Sequence, residues 1–348
     1  MKVKKRYGLL LTAVFALSAA GCGSESSEYL QQGMTQISAL EYENALASFD
    51  AAIANAENLQ LIYRGQGLAY MGLTDYENAA LYLEKALTLS DYRPDQLDYD
   101  VNYYLATAYY KGGQIEKAIA VYEAITALRP DEKAAWFLKG TMELELGRTE
   151  AAQTDFDRAV SIGKTDYDLY IDIFNSCDRF GQRQMGEAYL QNLMADDSLK
   201  LSNYDSGRIN FYLGNYEEAR LSLEKAKENG GADAVSMLGQ TYEKLGDYNY
   251  AASVYSTYLE ARQPNAEIYN QLGLCKLKLE EYEEALAAFQ AGLAIDGNPV
   301  MQTLKFNEIV AYEYLGQFDK AKLSMKQYLA LYPDDEKAQR EYIFLQTR

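Results

Sequence analysis

The stretch Asp131–Gly163, DEKAAWFLKGTMELELGRTEAAQTDFDRAVSIG, decides how the rest of the chain is read. Apolar residues recur at helical spacing on both sides of Gly147, so two amphipathic helices joined at Gly147-Arg148 are predicted. Asp131, just after Pro130, is the expected N-cap of the first. Gly140 and Ala152 are small where two helices must approach closely, and Phe156 is the large apolar plug between them. A unit this short cannot bury its own apolar face. It needs copies of itself on either side.

The copies are present. The small residue that opens the second helix recurs at Ala45, Ala79, Ala118, Ala152, Gly186, Ala219, Ala251, Ala285 and Ala321, at steps of 34, 39, 34, 34, 33, 32, 34 and 36 residues. The small residue of the first helix recurs at Gly33, Gly67, Ala106, Gly140, Gly207, Gly239 and Gly273. Turn glycines follow at Gly113, Gly147, Gly181, Gly214, Gly246 and Gly316, and the plug is Phe49, Leu83, Tyr122, Phe156, Leu223, Tyr255, Phe289 or Met325. A period near 34 with these positions in register resembles the tetratricopeptide repeat family. The resemblance implies an all-α, right-handed superhelical solenoid of about nine helix-turn-helix repeats over residues 28–335, with a C-terminal capping helix over 336–348. Two departures stand out. The step of 39 is expected to lengthen the loop around Ser90–Asp95. The repeat around Asp168–Met194 carries Phe174 where a small residue belongs and Gly186 where alanine does, so loose packing or a bend is expected there.

Residues 1–22, MKVKKRYGLLLTAVFALSAAGC, have the layout of a secretory signal: a basic start, an apolar run too short to span a membrane comfortably, then small residues. Ser18-Ala19-Ala20-Gly21-Cys22 resembles the lipobox of bacterial lipoproteins. The resemblance implies a signal peptide over 1–21, a diacylglyceryl group on the Cys22 thiol, and an exported protein anchored by its acyl chains to the bacterial cell membrane, facing outside the cytoplasm. Residues 23–27 are a polar tether reaching at most about 17 Å, so the folded body is expected close to the membrane.

Composition narrows the function classes. Residues 1–22 carry four of the 33 bases and none of the 51 acids, which leaves 29 bases against 51 acids, a net of −22. Such a body argues against nucleic acid as a partner and favours basic or neutral ones. The chain has no histidine, which removes the commonest general base and metal ligand. Cys177 and Cys275 read as buried thiols too far apart to pair. Ser161-Ile-Gly-Lys164 matches the S-x-x-K of penicillin-binding enzymes, but the companion motifs are missing. No catalytic residue, metal site or cofactor is expected, and the chain is not read as an enzyme. The 32 tyrosines suit a thin architecture in which a buried ring keeps its hydroxyl near water.

The family resemblance also implies that first helices line a concave face on which extended peptides lie. Inward positions include Leu30, Leu68, Thr141 and Asn175. None of the pairs Arg64/Leu68, Tyr103/Thr107, Phe137/Thr141, Ile171/Asn175 and Tyr204/Arg208 supplies the Lys and Asn with which some members hold a terminal carboxylate. The candidate partner-binding residues are instead Arg64, Tyr103, Tyr110, Phe137, Tyr204, Arg208 and Phe211, an aromatic groove with a few basic residues, the side-chain types common at binding hot spots. The leading expectation is a lipid-anchored scaffold or adaptor for a protein or peptide partner. An assembly factor for a cell-envelope machine and a small-ligand or glycan receptor are the alternatives.

Overall fold

Gly147 shows why each repeat turns where it does. Its φ is +74°, and a Cβ there would meet no atom within 4 Å. Backbone conformation, not space, therefore selects glycine. Three repeats make the same turn without it: Leu40, Thr74 and Glu280 hold φ of 61°, 60° and 62°. A left-handed non-glycine residue costs about 1–2 kcal/mol, and glycine gives back part of that through its looser unfolded state. Glu280→Gly is accordingly expected to raise stability by about 0.5–1 kcal/mol, read as an upward shift of the urea midpoint. An unchanged or lower midpoint would contradict this account of the turn.

The computed structural model describes residues 28–91, 93–227 and 231–348. The signal-like segment, Cys22 and the tether lie outside them. Among the described residues there are nineteen helices and no strand. The chain divides into two compact units at Arg129/Pro130. The first contains α1 (Glu28–Ser38), α2 (Tyr42–Ala54), α3 (Leu59–Gly72), α4 (Tyr76–Leu87), α5 (Gln96–Lys111) and α6 (Ile115–Leu128). The second contains α7 (Lys133–Glu145), α8 (Thr149–Ile162), α9 (Tyr167–Arg179), α10 (Arg183–Ala195), α11 (Asn203–Leu213), α12 (Tyr216–Ala226), α13 (Gly231–Lys244), α14 (Tyr248–Ala261), α15 (Ala266–Lys278), α16 (Tyr282–Leu293), α17 (Met301–Tyr314), α18 (Phe318–Leu331) and the terminal α19 (Glu336–Leu345). The first eighteen pair in order into nine hairpins, three in the first unit and six in the second.

Eight of the nine hairpins close on a plug of this series. Phe49, Leu83, Phe156, Leu223, Tyr255, Phe289 and Met325 are 0% exposed and Tyr122 is 1%. The facing glycine gives the plug its room: a Cβ on Gly140 would sit 2.8 Å from Phe156 Cε1, and one on Gly67 would sit 2.6 Å from Leu83 Cγ.

The irregular repeat corrects one expectation. It is not loosely packed: Phe174, Cys177 and Leu190 are all buried. The small residue has moved to the other helix. A Cβ on Gly186 would lie 2.9 Å from Phe174 Cα and 3.1 Å from its carbonyl oxygen, so glycine in α10 lets the α9 backbone approach where Phe174 fills the space. Two further details differ from expectation. Asp131 is not the N-cap of α7. Glu132 holds that position, with no side-chain cap. Pro130, Asp131 and Glu132 form the turn before the helix, and its Pro130 carbonyl accepts hydrogen bonds from Trp136 Nε1 and Arg158 Nη2, both at 3.0 Å. The insertion lengthens the α4–α5 connection to residues 88–95, and it also extends α5 to 16 residues behind an Asp95/Asp98 capping box.

The tyrosines have a shared structural role. Buried rings send their hydroxyls to acids on a neighbouring helix or in the turn that follows. Tyr109 donates to Glu84, Tyr189 to Asp157 at 2.6 Å, Tyr242 to Glu224 at 2.7 Å, Tyr255 to Glu243 at 2.8 Å and Tyr328 to Asp335 at 2.6 Å. A neutral donor satisfies a carboxylate without a base, which helps the fold carry more acids than bases.

Candidate functional site: the first-helix face

The first helices present their positions between the packing residues along one face of each unit. In the first unit, Arg64 of α3 pairs with Asp100 of α5 at 2.5 Å and lies over the Tyr104 ring, 5.5 Å from its centroid. Its charge is therefore spent within the protein. Tyr103 is half-buried and meets the Tyr122 plug edge-on at 5.8 Å. Tyr110 is half-buried two turns further along α5. Leu30 and Leu68, expected to face inward, are buried between helices instead.

In the second unit, Phe137 leans on the Phe156 plug at 6.0 Å, so half of its ring is scaffold. Thr141, also expected inward, is buried, and its hydroxyl donates to the Phe137 carbonyl. Asn175 is exposed. Arg208 of α11 reaches Asp168 of α9 at 2.6 Å and Asp205 at 3.2 Å, and lies 4.9 Å from the Tyr204 centroid. Phe211 packs edge-on against Tyr212 and Tyr216, each at 5.7 Å. Beside this group, burial and then the Asp168 and Asp166 charges raise the Asp172 carboxyl, with Arg208 partly offsetting them. The named arginines of the expected aromatic groove are thus already ion-paired within the protein. An Arg and its acid link one repeat to the next at both places.

Sequence reading missed the cavity at the end of this face. It measures 430 Å³ and is lined by Phe306, Val310, Glu313 and Tyr314 of α17, Phe318 of α18, and Lys337, Glu341 and Phe344 of α19. Lys337, Glu341 and Phe344 of α19 line it from the side opposite α17. The capping helix therefore behaves as the first helix of a tenth repeat. Its polar composition hid that role. Burial, and then the Glu341 charge, push the Glu313 carboxyl up to about 7.

Elsewhere, Cys177 and Cys275 are free and buried, and burial pushes the Cys177 thiol up to about 12. Ser161 donates to the Arg158 carbonyl and Lys164 pairs with Asp196 at 3.1 Å, so this motif does not assemble a nucleophile and base. Among the described residues, no group of three or more Cys, Asp and Glu is placed to hold a metal, and no helix is long and apolar enough to cross a membrane.

Helix pairs closing on one plug per repeat define a helical-repeat protein. Tetratricopeptide repeat family models match residues 30–94, 103–167, 202–229, 236–298 and 306–335, more than half of the chain. The chain belongs to the tetratricopeptide repeat family. The matches skip 168–201, where the glycine has changed helices. A TPR repeat-containing protein of Methanocaldococcus jannaschii is 24% identical over 251 residues, covering 68% of this chain and 42% of that protein. The chain thus spans about two fifths of the length of this curated relative. A tetratricopeptide repeat protein of Parabacteroides merdae is similar at 16% identity, covering 73% of this chain and 98% of that one, with a TM-score of 0.44. YrrB, described as a TPR protein with an unusual peptide-binding site, is 19% identical, covering 63% of this chain and 96% of that one, with a TM-score of 0.36.

Proposed function

We propose that this chain is a lipid-anchored scaffold that holds a polypeptide partner along the first-helix faces of its repeats. One observation carries the reading. Phe137 on the first helix α7, and Tyr204, Phe211 and Tyr212 on the first helix α11, stay half-exposed while the neighbouring Arg208 is taken up by internal ion pairs. Rings left accessible beside neutralised charge suit an extended chain with apolar anchors. The anchor rests on the resemblance of Ser18–Cys22 to a lipobox, and it implies a location outside the cytoplasm, on the membrane. The short tether keeps the repeats near that surface.

Both halves are testable in a bacterial host. The wild-type chain is expected to take up labelled palmitate and to sediment with membranes, and Cys22→Ser to lose both. Equal labelling of the variant overturns the anchor. A photo-crosslinking amino acid placed at Phe137 or Phe211 is expected to trap one defined polypeptide in intact cells, with yield falling severalfold when Tyr204→Ala is added. No adduct at either position, with the protein folded, overturns the scaffold.

A further inference from the structure

The cavity between α17 and α19 differs from the rest of the first-helix face in its chemistry. Its walls are rings: Phe306, Tyr314, Phe318 and Phe344, with Val310 between them. Two carboxyl groups, Glu313 and Glu341, project into the same space. Glu313 Oε1 is sealed from water and accepts no hydrogen bond. Among the described residues, no Lys or Arg forms an ion pair with either acid. Lys337 lines the cavity too, but it lies over the Phe306 ring, 4.3 Å from the centroid. The Arg348 guanidinium lies 4.9 Å from the Phe344 centroid. The ring faces here thus already accept cations, while the two acids face each other without one.

We propose that this cavity receives a basic side chain, the guanidinium or ammonium of an arginine or lysine on the bound polypeptide. This deepens the scaffold reading and rests on it, since the cation is taken to belong to that partner. Charge complementarity selects the occupant. Two adjacent carboxylates repel each other in a partly dry site, and a single cation between them relieves both. The rings add cation–π attraction to the same group. An acidic or neutral side chain would relieve nothing. A body with 29 bases and 51 acids beyond residue 22 favours the same sign of partner.

The charged groups lining the cavity are Glu313 on α17 and Glu341 and Lys337 on α19; α18 contributes only Phe318, and α15 and α16 contribute no lining residue. Below about pH 7 Glu313 keeps its proton, and an entering cation must displace it. Affinity should therefore climb as pH rises through that value.

The test uses blocked pentapeptides Gly-Ser-X-Ser-Gly, with X as Arg, Lys, Gln or Glu, titrated into methyl-labelled protein while the Val310 methyls are followed by NMR. The Arg and Lys peptides are expected to bind at least about tenfold more tightly than the Gln peptide. That preference should grow between about pH 5.5 and 8 and vanish in the Glu313→Gln/Glu341→Gln double variant. The variant's melting curve at pH 8, unchanged or higher once the repulsion is gone, shows that it folds. Equal binding of Arg and Gln peptides, no binding of any peptide, or full retention in the double variant would each overturn the assignment. The peptides read this cavity alone and the crosslinks at Phe137 and Phe211 read the rest of the face, so failure of one reading is separable from failure of the other.

Discussion

Phe156→Ala is expected to destabilise the second unit by about 3–5 kcal/mol, the range for emptying a fully buried Phe site. The ring is 0% exposed and fills the space that the missing Cβ of Gly140 leaves open. It also carries the half-buried Phe137 on one side and meets Tyr189 at 89° and 6.3 Å on the other. Its loss therefore removes packing from α7, α8 and α10 together. Phe156→Leu should cost far less, about 1–1.5 kcal/mol, because Leu83 and Leu223 fill the same position against Gly67 and Gly207 elsewhere in the chain. Urea denaturation reads the size of the loss. Hydrogen exchange should place it in α7 and its neighbours, since each repeat leans only on the next. A cost below about 1 kcal/mol for Phe156→Ala would mean that the plug is not what closes the repeat.

Alkaline pH is expected to unfold the protein well before backbone chemistry intervenes. Burial and the hydrogen bond to Glu84 push the Tyr109 hydroxyl up to about 12. Burial and the bond to Asp335 do the same for Tyr328, also to about 12. Burial raises Tyr122, Tyr189 and Tyr255 further, with Asp157 and Glu243 adding to the last two. An unfolded tyrosine ionises near 10. These contributions are therefore complete below pH 10 and are lost as pH rises through about 12. Each hydroxyl that stays protonated in the fold costs up to about 1.4 kcal/mol per pH unit above 10. Two such groups lie in the first unit and three in the second, against a typical domain stability of about 5–15 kcal/mol. Melting temperature followed by circular dichroism should begin to fall above about pH 8.5, where burial holds the Cys177 and Cys275 thiols protonated, and fall steeply beyond about pH 10, with the absorbance of the buried tyrosinates appearing together with unfolding. Ionisation of all 32 tyrosines with the helices intact would refute this.

The repeat skeleton was legible because it rests on local steric demands that recur at fixed spacing. A turn residue at positive φ, glycine in six of the nine hairpins, and a small residue opposite a large apolar plug leave the same trace in most copies. The register of nine hairpins therefore followed from the spacing of these residues along the chain. Even the insertion was visible as a step of 39, although its division between the loop and a longer α5 depended on the Asp95/Asp98 box. Reading failed where two residues exchange roles. Phe174 and Gly186 look like two defects in line, and only the structure, in which a Cβ on Gly186 would come within 2.9 Å of Phe174 Cα, shows one compensated pair.

The face was less legible than the skeleton. Register placed Arg64 and Arg208 on first helices but not the acids on adjacent repeats, Asp100 and Asp168, that neutralise them, 36 and 40 residues away in sequence. Nor did it reveal that α19 continues the face, because Lys337, Glu341 and Phe344 lie in a mostly polar segment that reads as a solvated cap. What the sequence determined by itself is the unit, its period and its number, all consequences of contacts within one helix pair. The tertiary structure alone decided which charges are spent, which rings remain open and where two carboxylates meet without a cation. Those depend on how one repeat's side chains meet the next repeat's, a long-range pairing that no local pattern records.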